Sequence, residues 1–307
     1  MLFITDYYEY VNIKALTAFV EVATQGHFGR AAQNLGMTQS GLSQLVKNLE
    51  GTVGAKLIER TTRRVSVTDL GEMFLENAQE LLQAHRLAEA RIANILRGEE
   101  GTVRLGFVAS AALGIVPKLA ALIHDKAPGL KLSLGELTSE EQIPRLKSGE
   151  IDVGVLREIK ESSGLLIQSL GREPLLAAVP LTHRLSSQQK LHLKDLAHEG
   201  LIMFPRTKVS FLHDHIYRIC NDAGFTPLVV EEAVQFATIL GLVSSNAGIA
   251  IVPESLTAIR LPNVALLPIA DASAVSEIYL ARRQDERASP AAKKLVSLAM
   301  DDLTVGV

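Results

Sequence analysis

The segment that decides the N-terminal fold runs from Phe28 to Val53 and reads FGRAAQNLGMTQSGLSQLVKNLEGTV. It predicts a helix over residues 28–35, a tight turn at Gly36–Thr38 and a second helix over residues 39–53, because glycine ends helices and threonine begins them. In the second helix, apolar side chains recur at the spacing of an inward-facing stripe: Leu42, Leu45, Val46 and Leu49. Polar side chains fall on the opposite face: Ser40, Ser43, Gln44 and Lys47.

Two helices joined by a short turn that contains glycine form a helix-turn-helix, whose second helix has the right size for a DNA major groove. The outward side chains suit that role, because glutamine pairs with adenine, serine bonds several base edges, and lysine binds phosphate or guanine. A further short helix, predicted over Ala15–Ala23, precedes the pair. The alternative is a small helical bundle with a polar surface, since any surface helix has a polar face.

The segment that follows favours DNA binding. Residues 56–67, KLIERTTRRVSV, predict two short strands around a turn with three arginines at or near its tip. Such a basic hairpin can act as a wing that contacts phosphates or enters the minor groove. Six basic and two acidic residues between Gly26 and Val67 give this segment a net charge of +4, although the whole chain carries −3. The predicted DNA contacts are Arg30, Thr38, Gln39, Ser40, Ser43, Gln44, Lys47, Arg60, Arg63 and Arg64.

A long helix is predicted from Thr68 to Arg97, with Thr68 as its N-cap. Apolar or neutral positions alternate at spacings of four and three, as in a coiled-coil seam: Phe74, Ala78, Leu81, His85, Ala88, Ile92 and Ile95. A seam this narrow favours a helix that joins two subunits. The alternative is an amphipathic helix that packs on its own domain.

From Gly101 onward, strand-like apolar runs alternate with helical stretches, which predicts an α/β domain with an open, largely parallel sheet. Ligands of such sheets bind beyond the carboxyl ends of the strands, beside helix N-termini that attract anions. Ser110 follows the first predicted strand, and Thr138 and Ser139 follow the second. We therefore expect these hydroxyls at one ligand site; capping of helices is their alternative role.

Composition excludes several other classes of protein. At 307 residues the chain has the length of about two domains, and its one cysteine, Cys220, excludes an internal disulfide and a cysteine-rich zinc site. The N-terminus lacks the features of a signal peptide, and the uncharged run after Glu232 contains a loop, so a cytoplasmic protein is expected. His213 and His215 would face apart on a helix, and neither a metal site nor any cofactor is predicted.

These residues resemble the LysR-type transcriptional regulators. The resemblance rests on Phe19, Arg30–Ala32, Leu35, Gln39, Leu42–Ser43, Leu49–Glu50, Gly54, Leu57, Glu59–Arg60, Arg63–Arg64, Thr68 and Gly71, which match the family in order and spacing. The chain departs from the family pattern at His27, Gly29, Ser40 and Thr62. Because the family usually begins near Asn12, residues 1–11 are interpreted as an extension or a mis-assigned start.

The resemblance implies a winged helix-turn-helix in residues 1–67, a linker and dimerisation helix in residues 68–98, and an effector-binding domain in residues 101–307. The last domain would resemble a periplasmic solute-binding protein, with one α/β subdomain at about 101–171 and 275–307 and another at about 172–274. Residues 106–110, 152–154 and 204–206 resemble the branch that controls degradation of aromatic compounds. On that branch the effector contacts would be Ser110, Thr138, Ser139, Arg157, Phe204 and Pro205.

The resemblance further implies a homodimer, and a homotetramer built from it, that binds dyad-symmetric double-stranded DNA and contacts RNA polymerase. The effector would be an aromatic or dicarboxylic acid, and the protein would not be an enzyme. Two other classes stay open: a small-molecule-binding protein or enzyme whose N-terminal helices only oligomerise, and an adaptor that uses the long helix as a coiled coil.

Overall fold

The computed structural model describes residues 12–60, 64–157, 159, 163–284 and 287–303. The chain divides into two compact units, Met1–Ala93 and Asn94–Val307. The predicted extension at residues 1–11 and the predicted wing residues 61–63 lie outside the described residues.

The N-terminal unit contains three short helices, a two-stranded hairpin and most of a long helix. Their bounds are α1 Ile13–Gln25, α2 Phe28–Asn34, α3 Gln39–Val53, β1 Ile58–Arg60, β2 Val65–Val67 and α4 Asp69–Arg97. Strands β1 and β2 pair antiparallel, so the predicted winged helix-turn-helix is confirmed. Helix α3 begins at Thr38, whose hydroxyl accepts a hydrogen bond from the backbone of Gly41, and it ends at Gly54 in the left-handed conformation.

A buried carboxylate joins helix α3 to the base of the wing. Glu50 is 4% exposed, and its carboxylate accepts hydrogen bonds from the backbone N–H groups of Leu57 and Ile58 and from the Lys56 ammonium. Burial alone would raise the pKa of the Glu50 carboxyl, but the bonds from Lys56, Ile58 and Leu57 outweigh it and hold the pKa below its ordinary value of 4.5. The ionised form therefore stabilises the wing's attachment.

The first turns of α4 belong to the core of the N-terminal unit. The Phe74 ring meets the Phe19 ring edge to face, with 5.4 Å between centroids, and Ala78 is buried. The prediction of one continuous seam from Phe74 to Ile95 is therefore wrong at its start, because Phe74 and Ala78 pack in the core of the N-terminal unit. Further along, Leu81 is 56% and Ile92 is 57% exposed.

The C-terminal unit alternates strands and helices along most of its length. The strands are β3 Gly101–Phe107, β4 Leu130–Glu136, β5 Val153–Arg157, β6 Leu165–Pro180, β7 Gly200–Met203, β8 Leu228–Glu232, β9 Ala250–Pro253, β10 Val264–Pro268 and β11 Val275–Arg283. The helices are α5 Ile115–Lys126, α6 Ser139–Ser148, α7 Ser210–Asp222, α8 Phe236–Ser244 and α9 Pro290–Leu303.

The sheets are mixed, so the prediction of a largely parallel sheet is wrong. Strand β3 runs parallel to β4 and β5, and β7 runs parallel to β8. Strand β11, however, pairs antiparallel with β5 and β6, and β6 pairs antiparallel with β9 and β10. The chain passes from one core to another along the long strand β6 and returns along β11. Because the two strands cross in opposite senses, they pair antiparallel.

The two larger hydrophobic cores of this unit each define a lobe. Lobe I comprises residues 101–174 and 275–303, with a core around Val103, Leu119 and Leu295. Lobe II comprises residues 175–274, with a core around Leu175, Ile216 and Ile251. The chain crosses between the lobes where Val275 pairs with Pro174 and the Leu175 N–H bonds the Ala274 carbonyl.

Replacing the buried carboxylate with an amide, Glu50→Gln, is expected to lower the free energy of unfolding by about 1–3 kcal/mol at pH 7, because buried donors lose a charged acceptor. Since the folded pKa is lowered, the stabilisation is present above the ordinary pKa of 4.5 and is lost as pH falls through the folded value. Denaturant unfolding from pH 7 to pH 3 measures both effects. Glu59→Gln, on the exposed side of β1, is the control; an equal loss there would contradict the role of Glu50.

Candidate nucleic-acid interface and effector cleft

The outer face of α3 carries the side chains predicted to read DNA. Gln39, Ser40, Gln44 and Lys47 are exposed, whereas Ser43 is half-buried. Thr38 lies at the N-cap, so its hydroxyl has a structural task besides any contact with DNA. The Gln44 side chain donates to the Asn48 side chain at 2.7 Å, which orients its amide along the helix surface.

Arg60 is held between the wing and the helices. Its Nη1 donates to the Ser43 hydroxyl at 2.7 Å, and its guanidinium lies 4.1 Å from the centre of the Phe28 ring. The sequence places Arg60 in the predicted wing but does not indicate this contact, because Ser43 and Phe28 are distant from Arg60 in sequence. The fixed guanidinium lies beside the exposed face of α3, where a phosphate would meet it without a large entropic cost.

The other predicted arginines occupy different settings. Arg30 donates from Nη2 to the Gln25 carbonyl at 2.9 Å, at the end of α1. Arg64 is exposed directly before β2. Arg63 lies outside the described residues.

A cavity of about 590 Å³ lies between the two lobes of the C-terminal unit. Lobe I lines it with the turn after β3, the start of α6 and the end of β5, and lobe II lines it with the segments that precede α7 and α8. Five of the six residues predicted to contact an effector line it: Ser110, Thr138, Ser139, Arg157 and Phe204. Pro205 is not among its lining residues.

The predicted hydroxyls are engaged by the protein itself. The Ser139 hydroxyl accepts from the Arg157 backbone N–H at 3.0 Å and donates to the Arg157 carbonyl at 3.3 Å. Thr138 caps α6 in a reciprocal pair with Glu141, and the Ser110 hydroxyl accepts from Arg157 Nε at 2.7 Å. The role in helix capping is therefore present at Thr138, and Ser139 shapes the cleft through the backbone of Arg157.

Arg157 is the centre of a buried polar cluster at the base of the cavity. The residue is 3% exposed. Its guanidinium forms an ion pair with Glu173 and donates from Nη1 to the Ser276 hydroxyl at 2.8 Å. Glu173 also accepts from the backbone N–H of Ser255, in lobe II. The cluster thus joins lobe I, both crossing strands and lobe II.

The rest of the cavity wall combines an apolar surface with charged groups at its edge. Its apolar part includes Val108, Leu137, Phe204, Phe211, Val234 and Phe236. The Phe204 and Phe236 rings pack edge to face with 5.2 Å between centroids. Exposed Lys208 and Glu136 also line the cavity. Residues 207–209, 211–212 and 234–236 also line the cavity, although nothing in their local sequence indicates that they face lobe I.

The histidines of α7 have structural partners. The His213 ring bonds the Phe204 carbonyl through Nδ1, and the His215 ring bonds the Val275 carbonyl through Nε2, both at 2.7 Å. Among the described residues, no group of three or more metal-binding side chains could hold an ion. Cys220 is fully buried, and burial raises the pKa of its thiol to about 12.

Two family models match the chain and together cover both units. Residues 13–72 match the bacterial regulatory helix-turn-helix protein of the lysR family, and residues 96–304 match the LysR substrate binding domain. The chain belongs to the LysR family. It is therefore a LysR-type DNA-binding transcriptional regulator with an effector-binding domain, and not an enzyme.

Relatives of similar length support this assignment. The chain is 34% identical to the uncharacterized HTH-type transcriptional regulator YnfL of Escherichia coli, over 92% of this chain and 96% of YnfL. It is 33% identical to the HTH-type transcriptional regulator BenM of Acinetobacter baylyi, over 91% of this chain and 92% of BenM.

A solved LysR-type structure, full-length CbnR complexed with its target DNA, matches with a TM-score of 0.80 at 26% identity, over 95% of this chain and 100% of CbnR. The fold class expected from the resemblance is confirmed.

In the described ranges, with their gaps at 61–63, 158, 160–162 and 285–286 and at both termini, no helix is long and apolar enough to cross a membrane.

Removing the buried cation, Arg157→Met, is expected to lower the free energy of unfolding by about 3–5 kcal/mol, because Glu173 would be left buried without its partner. The double variant Arg157→Met/Glu173→Met is expected to regain part of that loss. Arg172→Met, which removes the neighbouring exposed ion pair with Glu277, is the control and should cost about 1 kcal/mol or less. Chemical denaturation measures all three, and equal losses at Arg157 and Arg172 would contradict the role of the cluster.

Proposed function

We propose that this LysR-type regulator binds a dyad-symmetric site on double-stranded DNA through two copies of its winged helix-turn-helix. The contacts would come from Arg30, Thr38, Gln39, Ser40, Ser43, Gln44, Lys47, Arg60, Arg63 and Arg64. The observation that carries the proposal is the exposed polar face of α3 beside the fixed guanidinium of Arg60. The solved complex of CbnR with its target DNA supports the same use of this module.

The linker helix, residues 68–98, is proposed to join two subunits into a homodimer, from which a homotetramer is built. Exposed apolar side chains along α4 support this, since Leu81, Ile92 and Ile95 lie at the predicted seam and are exposed. A Leu81→Asp variant that kept the wild-type sedimentation coefficient would contradict this assignment.

In the proposed domain organisation, residues 1–67 form the DNA-binding domain and residues 101–307 form the effector-binding domain. The protein would act in the cytoplasm, where the DNA lies.

The cleft between the lobes is proposed to bind a small organic acid, aromatic or dicarboxylic, against Ser110, Thr138, Ser139, Arg157 and Phe204. Its volume and apolar wall suit a ring or short chain, and Lys208 offers a cation at its edge. The effector-binding domain of BenM solved with its effector benzoate supports this class. It matches at a TM-score of 0.60 and 31% identity, over 65% of this chain and 90% of that one.

Effector binding would change the relative positions of the lobes, and through the tetramer the bend of the DNA and the contact with RNA polymerase. The effector stabilises whichever arrangement it binds better, so it shifts an existing equilibrium.

Lys47→Ala is expected to weaken binding to all DNA sequences and to lower the slope of log affinity against log salt by about 1, because one phosphate contact is lost. Gln39→Ala is expected to relax base preference by about 1–3 kcal/mol at one position and to leave the salt slope unchanged. Binding titrations at several salt concentrations, on a footprinted site and on variants of it, measure both. Binding without any salt dependence would contradict the DNA-binding interpretation of α3.

A screen of small carboxylic acids is expected to raise the thermal unfolding temperature of the full-length protein, because a ligand that binds only the folded state stabilises it. Phe236→Ala should reduce the shift, since Phe236 forms part of the cavity wall. Phe225→Ala, in lobe II but outside the cavity lining, is the control. No shift with any aromatic or dicarboxylic acid would overturn the proposed class of effector.

A further inference from the structure

A carboxylate of lobe I reaches across the cleft to lobe II. Glu140, in the first turn of α6, accepts two hydrogen bonds through Oε1, from the Ser210 hydroxyl at 2.7 Å and from the Phe211 backbone N–H at 3.0 Å. Ser210 and Phe211 are the first two residues of α7. Glu140 and Phe211 both line the cavity.

Glu140 supplies the cap that α7 lacks in its own sequence. The residue at the N-cap position is Val209, which makes no capping hydrogen bond through its side chain. The first N–H groups of a helix have no partner within it, and the helix dipole favours a negative charge at that end. The anion position at the start of α7 is therefore filled by the chain's own carboxylate.

Among the described residues that line the cavity, one cationic side chain is available to a ligand. Arg157 is committed to Glu173, Ser110 and Ser276 at the base. Lys208 is exposed at the edge, whereas the lining carboxylates are Glu136, Glu140 and Glu141. A ligand with one carboxylate can form an ion pair with Lys208. A second carboxylate would face the negative charge of Glu140 at the start of α7, where the donors already bond Glu140.

We propose that Glu140 sets the charge of the effector, so that the cleft accepts an acid with one carboxylate and an apolar body and rejects the dicarboxylic acid of the same shape. This rests on the proposed function, because it concerns the same cleft and narrows the class of acid. Glu140 acts as the specificity-determining residue by occupying the second anion position.

The experiment uses full-length protein and pairs of acids that differ only in the second carboxylate: 4-methylbenzoate with terephthalate, and hexanoate with adipate. Calorimetry is expected to give wild-type protein a preference of about tenfold or more for the monocarboxylic member of a pair, because the second carboxylate of the other member meets the like charge of Glu140. Glu140→Ala is expected to raise affinity for the dicarboxylic member and reduce the preference to within about threefold, since the Phe211 N–H and the Ser210 hydroxyl become free.

Glu136→Ala is the matched control, because it removes one negative charge from the cavity lining without touching α7. It is expected to keep most of the preference, because the donors at the start of α7 stay bonded to Glu140 in this variant. Should the alanine variant at position 140 unfold, Glu140→Gln retains an acceptor oxygen for α7 and is expected to lose part of the preference.

An unchanged preference in the Glu140 variants, or an equal reduction in Glu136→Ala, would overturn the role of Glu140 while leaving a carboxylate effector in place. Wild-type protein that binds neither member of either pair would overturn the proposed class of effector, and this inference with it.

Discussion

A buried positive charge is the constraint around which the C-terminal unit is built. A guanidinium has five N–H donors and stays charged, so a buried arginine needs acceptors on every side. Arg157 finds them in Ser110, Glu173 and Ser276, which come from three separate parts of the chain. All three partners lie in lobe I, and the cluster reaches lobe II through the hydrogen bond that the Ser255 N–H donates to Glu173. The cluster therefore keeps its charge paired when the lobes move, and it holds the two crossing strands together at the base of the cleft.

The base of the cleft and its mouth are joined in different ways. At the base, the side chain of Glu173 bonds both Arg157 and the backbone of Ser255 in lobe II, and the crossing strands pair around it. At the mouth, the bridge from Glu140 to α7 consists of two hydrogen bonds to a half-buried side chain. Because the crossing strands are continuous with both lobes, the base serves as a pivot, whereas the bridge at the mouth can open without breaking a strand pair.

The N-terminal module could be predicted from sequence because the forces that build it are local. One short stretch of chain contains the caps of α3, Thr38 and Gly54, and the apolar residues of its inward face. The structure has the predicted bounds of that helix. The features that the sequence did not predict depend on partners far away in the chain. Phe74 packs against Phe19 in the core of the N-terminal unit and not in the predicted seam. Arg60 bonds Ser43, so that the wing contacts α3.

The cleft shows the same division. Its place beyond strands β3 and β4 followed from strand order, and Ser110, Thr138 and Ser139 do lie there. The partners of their hydroxyls could not be foreseen, because Ser139 bonds a backbone 18 residues away and Arg157 bonds a serine 119 residues away. Cys220, the single cysteine of the chain, lies in the core of lobe II. Its thiol is fully buried with a pKa near 12, so almost none of it is thiolate at neutral pH. A cysteine introduced on each lobe would therefore react with a spectroscopic label in the presence of the native one, and the opening of the cleft can be followed without altering the core.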